Sequence, residues 1–220
     1  RIVVACRVSS FGFSAYFVAR LTSSAAFDGS FGGGDGMTDS QVVGSLPLVT
    51  DITTDPSSGR IAVAFRLNAA FPLEGAVEVL TAAGLADTTF SGDGHIDLDL
   101  EEGSSIDAVA FQSDGKLLAV GEIDANGTQA GGFLLARMTK SGALDATFDG
   151  NGVKRVEFDA AANVVDAPLA VTTWGGRLVA AGLAGAGGGD AQAFALLRTA
   201  NSSIFADGFE RGSVTGWAGY

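Results

Sequence analysis

The feature that most constrains this chain is an internal repeat. Asp28–Phe31 (DGSF), Asp87–Phe90 (DTTF) and Asp145–Phe148 (DATF) share the pattern D-x-[ST]-F at steps of 59 and 58 residues. Each is followed by a glycine-flanked turn: Gly34-Asp35-Gly36, Gly92-Asp93-Gly94 and Gly150-Asn151-Gly152. A basic residue opens an apolar strand at Arg1, Arg60, Lys116 and Arg177, and a second apolar strand closes on Arg20, Arg137 and Arg198, with Leu80 as the odd member. Features sharing one period identify a tandem array, in which each unit buries its apolar faces only by stacking on its neighbours.

The third copy shows what a unit contains. The apolar stretch Ile106–Phe111 ends in the turn Ser113-Asp114-Gly115, and Lys116–Gly121 (KLLAVG) follows as a nearly unbroken apolar run. Asn126-Gly127 is the preferred pair for a tight hairpin, because both residues tolerate positive φ. Phe133–Met138 (FLLARM) is a second apolar run, and Gly152–Phe158 alternates like an outer strand with one wet face. Middle strands too apolar to have an exposed face imply a sheet covered on both sides. The expected fold class is therefore all-β: a partial or open β-propeller of about four four-stranded antiparallel blades, each of about 58 residues. The units run approximately over 1–48, 49–105, 106–165 and 166–200, with 201–220 as a C-terminal tail. The first copy lacks its opening strand and the fourth lacks its closing one, so fourteen strands are expected where a closed four-bladed ring needs sixteen. A β-solenoid is the alternative, although its rungs are usually shorter.

Taken together, Asp114–Gly121 (DGKLLAVG), Phe133–Met138, Gly142–Phe148 (GALDATF) and Gly150–Val153 resemble the bacterial delta-60 repeat, nearly throughout the chain to about Arg198. The resemblance implies propeller-like repeats in secreted or surface-exposed bacterial proteins and supplies no catalytic residues. Departures are Leu80 for the strand-ending arginine, Ser91 for the glycine after the motif phenylalanine, and the Gly185–Gly189 insertion. Ile204–Trp217 resembles a short closing motif of secreted gammaproteobacterial proteins, read here as a tail docked on the last blade. The opening Arg1–Cys6 reads as a strand, so any export signal lies outside these residues.

The chemistry-bearing residues are few. Asp28, Asp87 and Asp145 are expected to cap their own turns while Phe31, Phe90 and Phe148 wedge into the core. Asp145, Asp149 and Asn151 are weak candidates for a calcium site, since Ca²⁺ takes six to eight oxygens and the loop lacks the EF-hand order. Paired carboxylates are the only catalytic mechanism the residue inventory leaves open, and Asp97, Asp99, Glu101 and Glu102 could supply a glycosidase-type acid and nucleophile, although a solvated outer strand and loop is the usual place for such a charge run. His95, the single histidine, is expected as a partly exposed strand residue. Cys6, the single cysteine, falls in a slot shared with Phe65, Gly121 and Gly182 and is expected to be buried. The glycine-rich segments Gly32–Gly36 and Gly185–Gly189 are read as turns, because no helix follows them to cradle a phosphate.

Charge narrows the partners. A formal net charge of −12 opposes binding to nucleic acid or to an anionic membrane surface. No apolar run approaches the roughly 20 residues of a membrane helix. The functional expectation is a non-catalytic, secreted or cell-surface scaffold with no cofactor, binding a protein or glycan, with self-association completing a larger propeller as a further possibility. A carboxylate-based extracellular hydrolase or lyase and a calcium-stabilised structural array are the alternatives.

Overall fold

A computed structural model describes residues 1–10, 13–38, 47–67, 74–98, 103–123, 132–156, 166–174, 177–185, 192–200 and 203–208. Every regular element among them is a β-strand. The first sheet pairs β1 (Ile2–Ser10) with β2 (Phe13–Leu21). The second is β3 (Pro47–Thr54), β4 (Ile61–Leu67), β5 (Glu74–Leu80) and β6 (His95–Leu98), in that order. The third is β7 (Ala108–Phe111), β8 (Leu117–Ile123), β9 (Gly132–Met138) and β10 (Val153–Val156). The fourth is β11 (Ala167–Trp174), β12 (Arg177–Gly185), β13 (Gln192–Ala200) and β14 (Ser203–Gly208). All pairs are antiparallel between consecutive strands, so each sheet is a simple meander.

Strand assignments differ from the sequence expectation at both ends. The outer strand of the first copy is represented, among the described residues, by the isolated bridge Ala19↔Met37. The fourth sheet has four strands, because Ser203–Gly208 runs along β13 with Leu196 opposite Asp207. The segment read as a tail therefore begins as an edge strand of that sheet. Asn126-Gly127, the residues after Gly185 in the glycine insertion, and the end of the closing motif from residue 209 lie outside the described residues.

Alternation places the core. On β4, Ile61, Val63, Phe65 and Leu67 join Tyr16, Val18 and Phe31 between the first and second sheets. Their neighbours Ala62 and Ala64 join Leu117, Ala119, Leu134 and Met138 between the second and third. Leu118 and Val120 then join Leu178 and Ala180 between the third and fourth. Successive strand residues point to opposite faces, so a run that is apolar at every position serves two interfaces at once. That is why KLLAVG needs no polar face.

The inner strands lie side by side and are cross-linked by polar contacts. The Thr50 hydroxyl donates to the Ile106 carbonyl at 2.7 Å, and the Val109 amide donates to Asp51 Oδ2 at 2.9 Å. Between β7 and β8 the turn closes through Gln112, whose carbonyl accepts from the Gly115 amide at 2.8 Å. Gly115 sits there at φ +78°, a conformation that costs a side chain about 1 kcal/mol or more.

Candidate functional site

The recurring acid lies at one end of the first three sheets, here called the motif end, where the second hairpin strand turns back. In all three copies the amide of the acid donates to a strand carbonyl: Asp28 to Arg20, Asp87 to Val79, Asp145 to Arg137. The motif phenylalanine then closes the turn by donating its amide to the carbonyl of the acid. One carboxylate oxygen accepts from both the amide and the hydroxyl two residues on, which is the capping role expected for Asp next to Ser or Thr.

The second carboxylate oxygen faces cations. Asp28 Oδ2 takes Arg20 Nε and Arg1 Nε, both at 2.9 Å; Asp145 Oδ2 takes Arg137 Nε and Lys116 Nζ, both at 2.8 Å. Asp87 has, among the described residues, Arg60 alone, at 2.6 Å. The register explains the difference and corrects the sequence alignment. Val3 pairs with Arg20 and Leu118 with Arg137, whereas Ala62 pairs with Val79. The residue standing in for the strand-ending arginine is therefore Val79, and Leu80 corresponds to Leu21 and Met138.

The same guanidinium groups cover the motif rings. Arg20 lies 4.7 Å from the Phe31 centroid and Arg137 4.9 Å from that of Phe148; Arg60 sits between Phe90 and Phe111 at 5.8 and 5.9 Å. The first two clusters also reach forward to the next sheet. Arg20 donates to the Ala82 carbonyl, Arg60 to that of Lys140 at 3.3 Å, and the Gly32 and Ser91 amides to the Ala83 and Ser141 carbonyls at 2.9 and 2.8 Å. Phe31 and Phe90 are buried as expected, but Phe148 is only half-buried. The turn that would cover it belongs to the fourth copy, whose sequence departs from the repeat after Arg198.

These contacts set the carboxyl pKa values. Hydrogen bonds from Ser30 and from Arg20, with the charge of Arg1, outweigh burial and bring Asp28 down to about 2. Burial opposes ionisation of Asp145, but Lys116, Thr147 and Arg137 outweigh it and hold the carboxyl well below its ordinary range. Asp87 follows the same balance, with Thr89 and Arg60 prevailing over burial.

The calcium candidates do not converge on one oxygen cage. Asp145 faces two cations, Asp149 pairs with Lys154 at 3.0 Å, and Asn151 Oδ1 accepts from the Val153 amide at 2.9 Å. Among the described residues no group of three or more His, Cys, Asp or Glu is placed to hold a metal ion. Of the acids considered for hydrolysis, Asp97 is exposed on β6 and lies 2.9 Å from His95 Nε2; Asp99, Glu101 and Glu102 lie outside the described residues. Cys6 is half-buried rather than buried: among the described residues no sheet covers its face of β1.

Two polar groupings were not anticipated. Glu78 is 2% exposed within the apolar run of β5 and accepts a hydrogen bond from the Tyr16 hydroxyl across the first two sheets. Its Oε1 has no hydrogen-bond partner among the described residues, and burial raises its pKa despite the Tyr16 bond. At the opposite end of the sheets, Arg66 donates to Asp107 at 2.7 Å and to Ser105 at 3.3 Å, and burial and the Asp107 charge raise the pKa of Glu122 nearby. The available signal was an acid set between apolar residues of a strand, Glu78 between Val77 and Val79 and Glu122 beside Ile123.

Residues 112–148 match the family model of a β-propeller domain of unknown function (DUF5122). The match spans the Gln112 turn, both middle strands of the third sheet and the DATF turn. A search of curated proteins found no match.

Proposed function

We propose that this chain forms about four blades of a delta-60-type β-propeller and acts as a non-catalytic binding scaffold of an exported or surface-exposed bacterial protein. The observation that carries the reading is the use made of the repeated acid. In every motif copy its carboxylate is engaged by its own turn and by cations of the same copy. The repeated residues therefore build the frame. The connections opposite the motif end vary: β1 to β2 is joined by 2 residues, β4 to β5 by 6, β8 to β9 by 8 and β12 to β13 by 6. A fixed frame with variable connections at one end is the usual arrangement for recognition.

The fitting partner is a protein or glycan rather than a nucleic acid, given the net charge of −12. The test is a glycan and protein array probed with labelled chain, run beside hydrolysis assays on extracellular polysaccharides and peptides. Saturable binding that is lost when the β8–β9 connection is replaced by a short Gly-Ser linker is the expected result. Turnover of a polymer without any retained partner would reverse the reading in favour of a hydrolase.

A further inference from the structure

The turn after each motif phenylalanine closes in the same way three times. Asp35, Asp93 and Asn151 each present Oδ1 to the backbone amide two residues on, at 2.9 Å in every copy. The amide of the intervening glycine donates to the carbonyl of the motif phenylalanine: Gly36 to Phe31 at 3.0 Å, Gly94 to Phe90 and Gly152 to Phe148 at 2.7 Å. The carbonyl of that glycine accepts in turn from the strand amide of Arg20, Val79 or Arg137. Packing reserves the position for glycine. Gly152 stands at φ +90°, and a Cβ there would fall 2.8 Å from the Asp145 amide nitrogen and from the Leu144 Cβ. The third copy therefore carries an exposed asparagine followed by an obligatory glycine.

We infer that Asn151 is a site of spontaneous deamidation, that the folded turn holds the reaction off, and that the same turn accepts the aspartate it produces. The reaction joins the Gly152 amide nitrogen to the side-chain carbonyl carbon of Asn151. The nitrogen gives its proton to solvent base, the side-chain amide leaves as ammonia, and a five-membered succinimide remains. Water then opens one ring carbonyl or the other, giving aspartate or isoaspartate; the sum is asparagine and water to a carboxylic acid and ammonia. Glycine leaves the attacking nitrogen unshielded, because it has no side chain. In the folded turn both reacting groups are occupied, the Gly152 N–H by the Phe148 carbonyl and the Asn151 Oδ1 by the Val153 amide. Ring closure must break both bonds, so it proceeds through local opening of the turn. Asp35 and Asp93 build the same turn on a carboxylate, so aspartate at 151 keeps the bond that Oδ1 makes. Isoaspartate inserts a methylene into the main chain and displaces Gly152 from Phe148. Either product adds one negative charge to the formal −12. The inference does not rest on the binding-scaffold reading.

Peptide mass analysis of chain aged at pH 8.5 tests this. Cleavage after Lys140 and Lys154 releases residues 141–154, in which Asn151 is the only asparagine. In chain held in guanidinium chloride that peptide should gain about 1 Da, with isoaspartate as a second chromatographic peak, and a free peptide of the same residues should react at the same rate. In the folded chain the gain should be slower by a factor of about ten or more. Asn151→Asp should keep the wild-type denaturation midpoint. Absence of a mass gain in denaturant, or equal rates in folded and denatured chain, overturns the proposal. A midpoint clearly lowered by Asn151→Asp overturns the claim that the turn accepts its product.

Discussion

Asp145 carries two separable contributions, and a pair of substitutions distinguishes them. Its Oδ1 caps the turn through the Thr147 amide and hydroxyl at 3.1 and 2.7 Å, and its Oδ2 holds Arg137 and Lys116. Asparagine keeps an acceptor for the cap but offers an amide, or no charge, to the two cations. Removing one partner of a fully buried ion pair costs about 3–5 kcal/mol, and an exposed pair contributes at most about 1. Side-chain exposures of 6% for Asp145, 19% for Arg137 and 30% for Lys116 place this site between those limits. We therefore expect Asp145→Asn to cost about 2 kcal/mol. Asp145→Ala also removes the cap, worth about 1 kcal/mol, and should cost about 3. Urea unfolding with a constant slope is the assay.

The pH dependence follows from the sign of the shift. The folded carboxyl lies below its unfolded value, so its contribution is present above about pH 4 and is lost as pH falls through the folded pKa. The difference between wild type and Asp145→Asn should thus narrow steadily below pH 4. Asparagine and alanine variants of equal stability, or a gap unchanged between pH 6 and pH 2.5, would refute the division into cap and ion pair.

Other positions carry their own tests. Glu78→Gln should be more stable than wild type at pH 7.5 by roughly 1 kcal/mol, because it removes a charge that burial disfavours. Since the folded pKa of Glu78 is raised, its favourable contribution is complete below about pH 4 and lost as pH rises; the gap should close on acidification, and thermal melts across pH check this. Ser91 holds φ +55° where the first copy has Gly32 at +64°, so Ser91→Gly should raise stability by roughly 0.5 kcal/mol in urea titrations. A Cβ on Gly121 would fall 1.7 Å from the Ser105 carbonyl oxygen, so Gly121→Ala should cost about 3 kcal/mol. An unchanged denaturation midpoint would mean that the approach of the Ser105–Ile106 segment to β8 is not the constraint on that glycine.

Much of the frame was legible because its signals are local. A DxTF turn followed by GxG is recognisable without knowing what it packs against, since the cap and the positive φ are set within a few residues. Leu117–Val120 announces a doubly covered sheet by its composition alone. The errors arose where pairing decides. Leu80 seemed to replace an arginine until the register put Val79 opposite Ala62. Cys6 shares its slot with Phe65, yet its burial depends on whether a neighbouring sheet is present.

The recurring acid was legible as a cap but not as a cation site. Arg137 precedes Asp145 by 8 residues and Lys116 by 29, and only the antiparallel return of β9 along β8 brings both to one oxygen. Tyr16 and Glu78, 62 residues apart, meet because the first sheet stacks on the second. Periodicity and turn chemistry in the chain were enough to specify strands, their alternation and a stacked all-β array, because those depend on neighbours along the backbone. Which charges meet depended on strand pairing and which acid is stranded in an apolar interface depended on sheet-to-sheet stacking, and both kinds of contact join residues that nothing in the linear order places together.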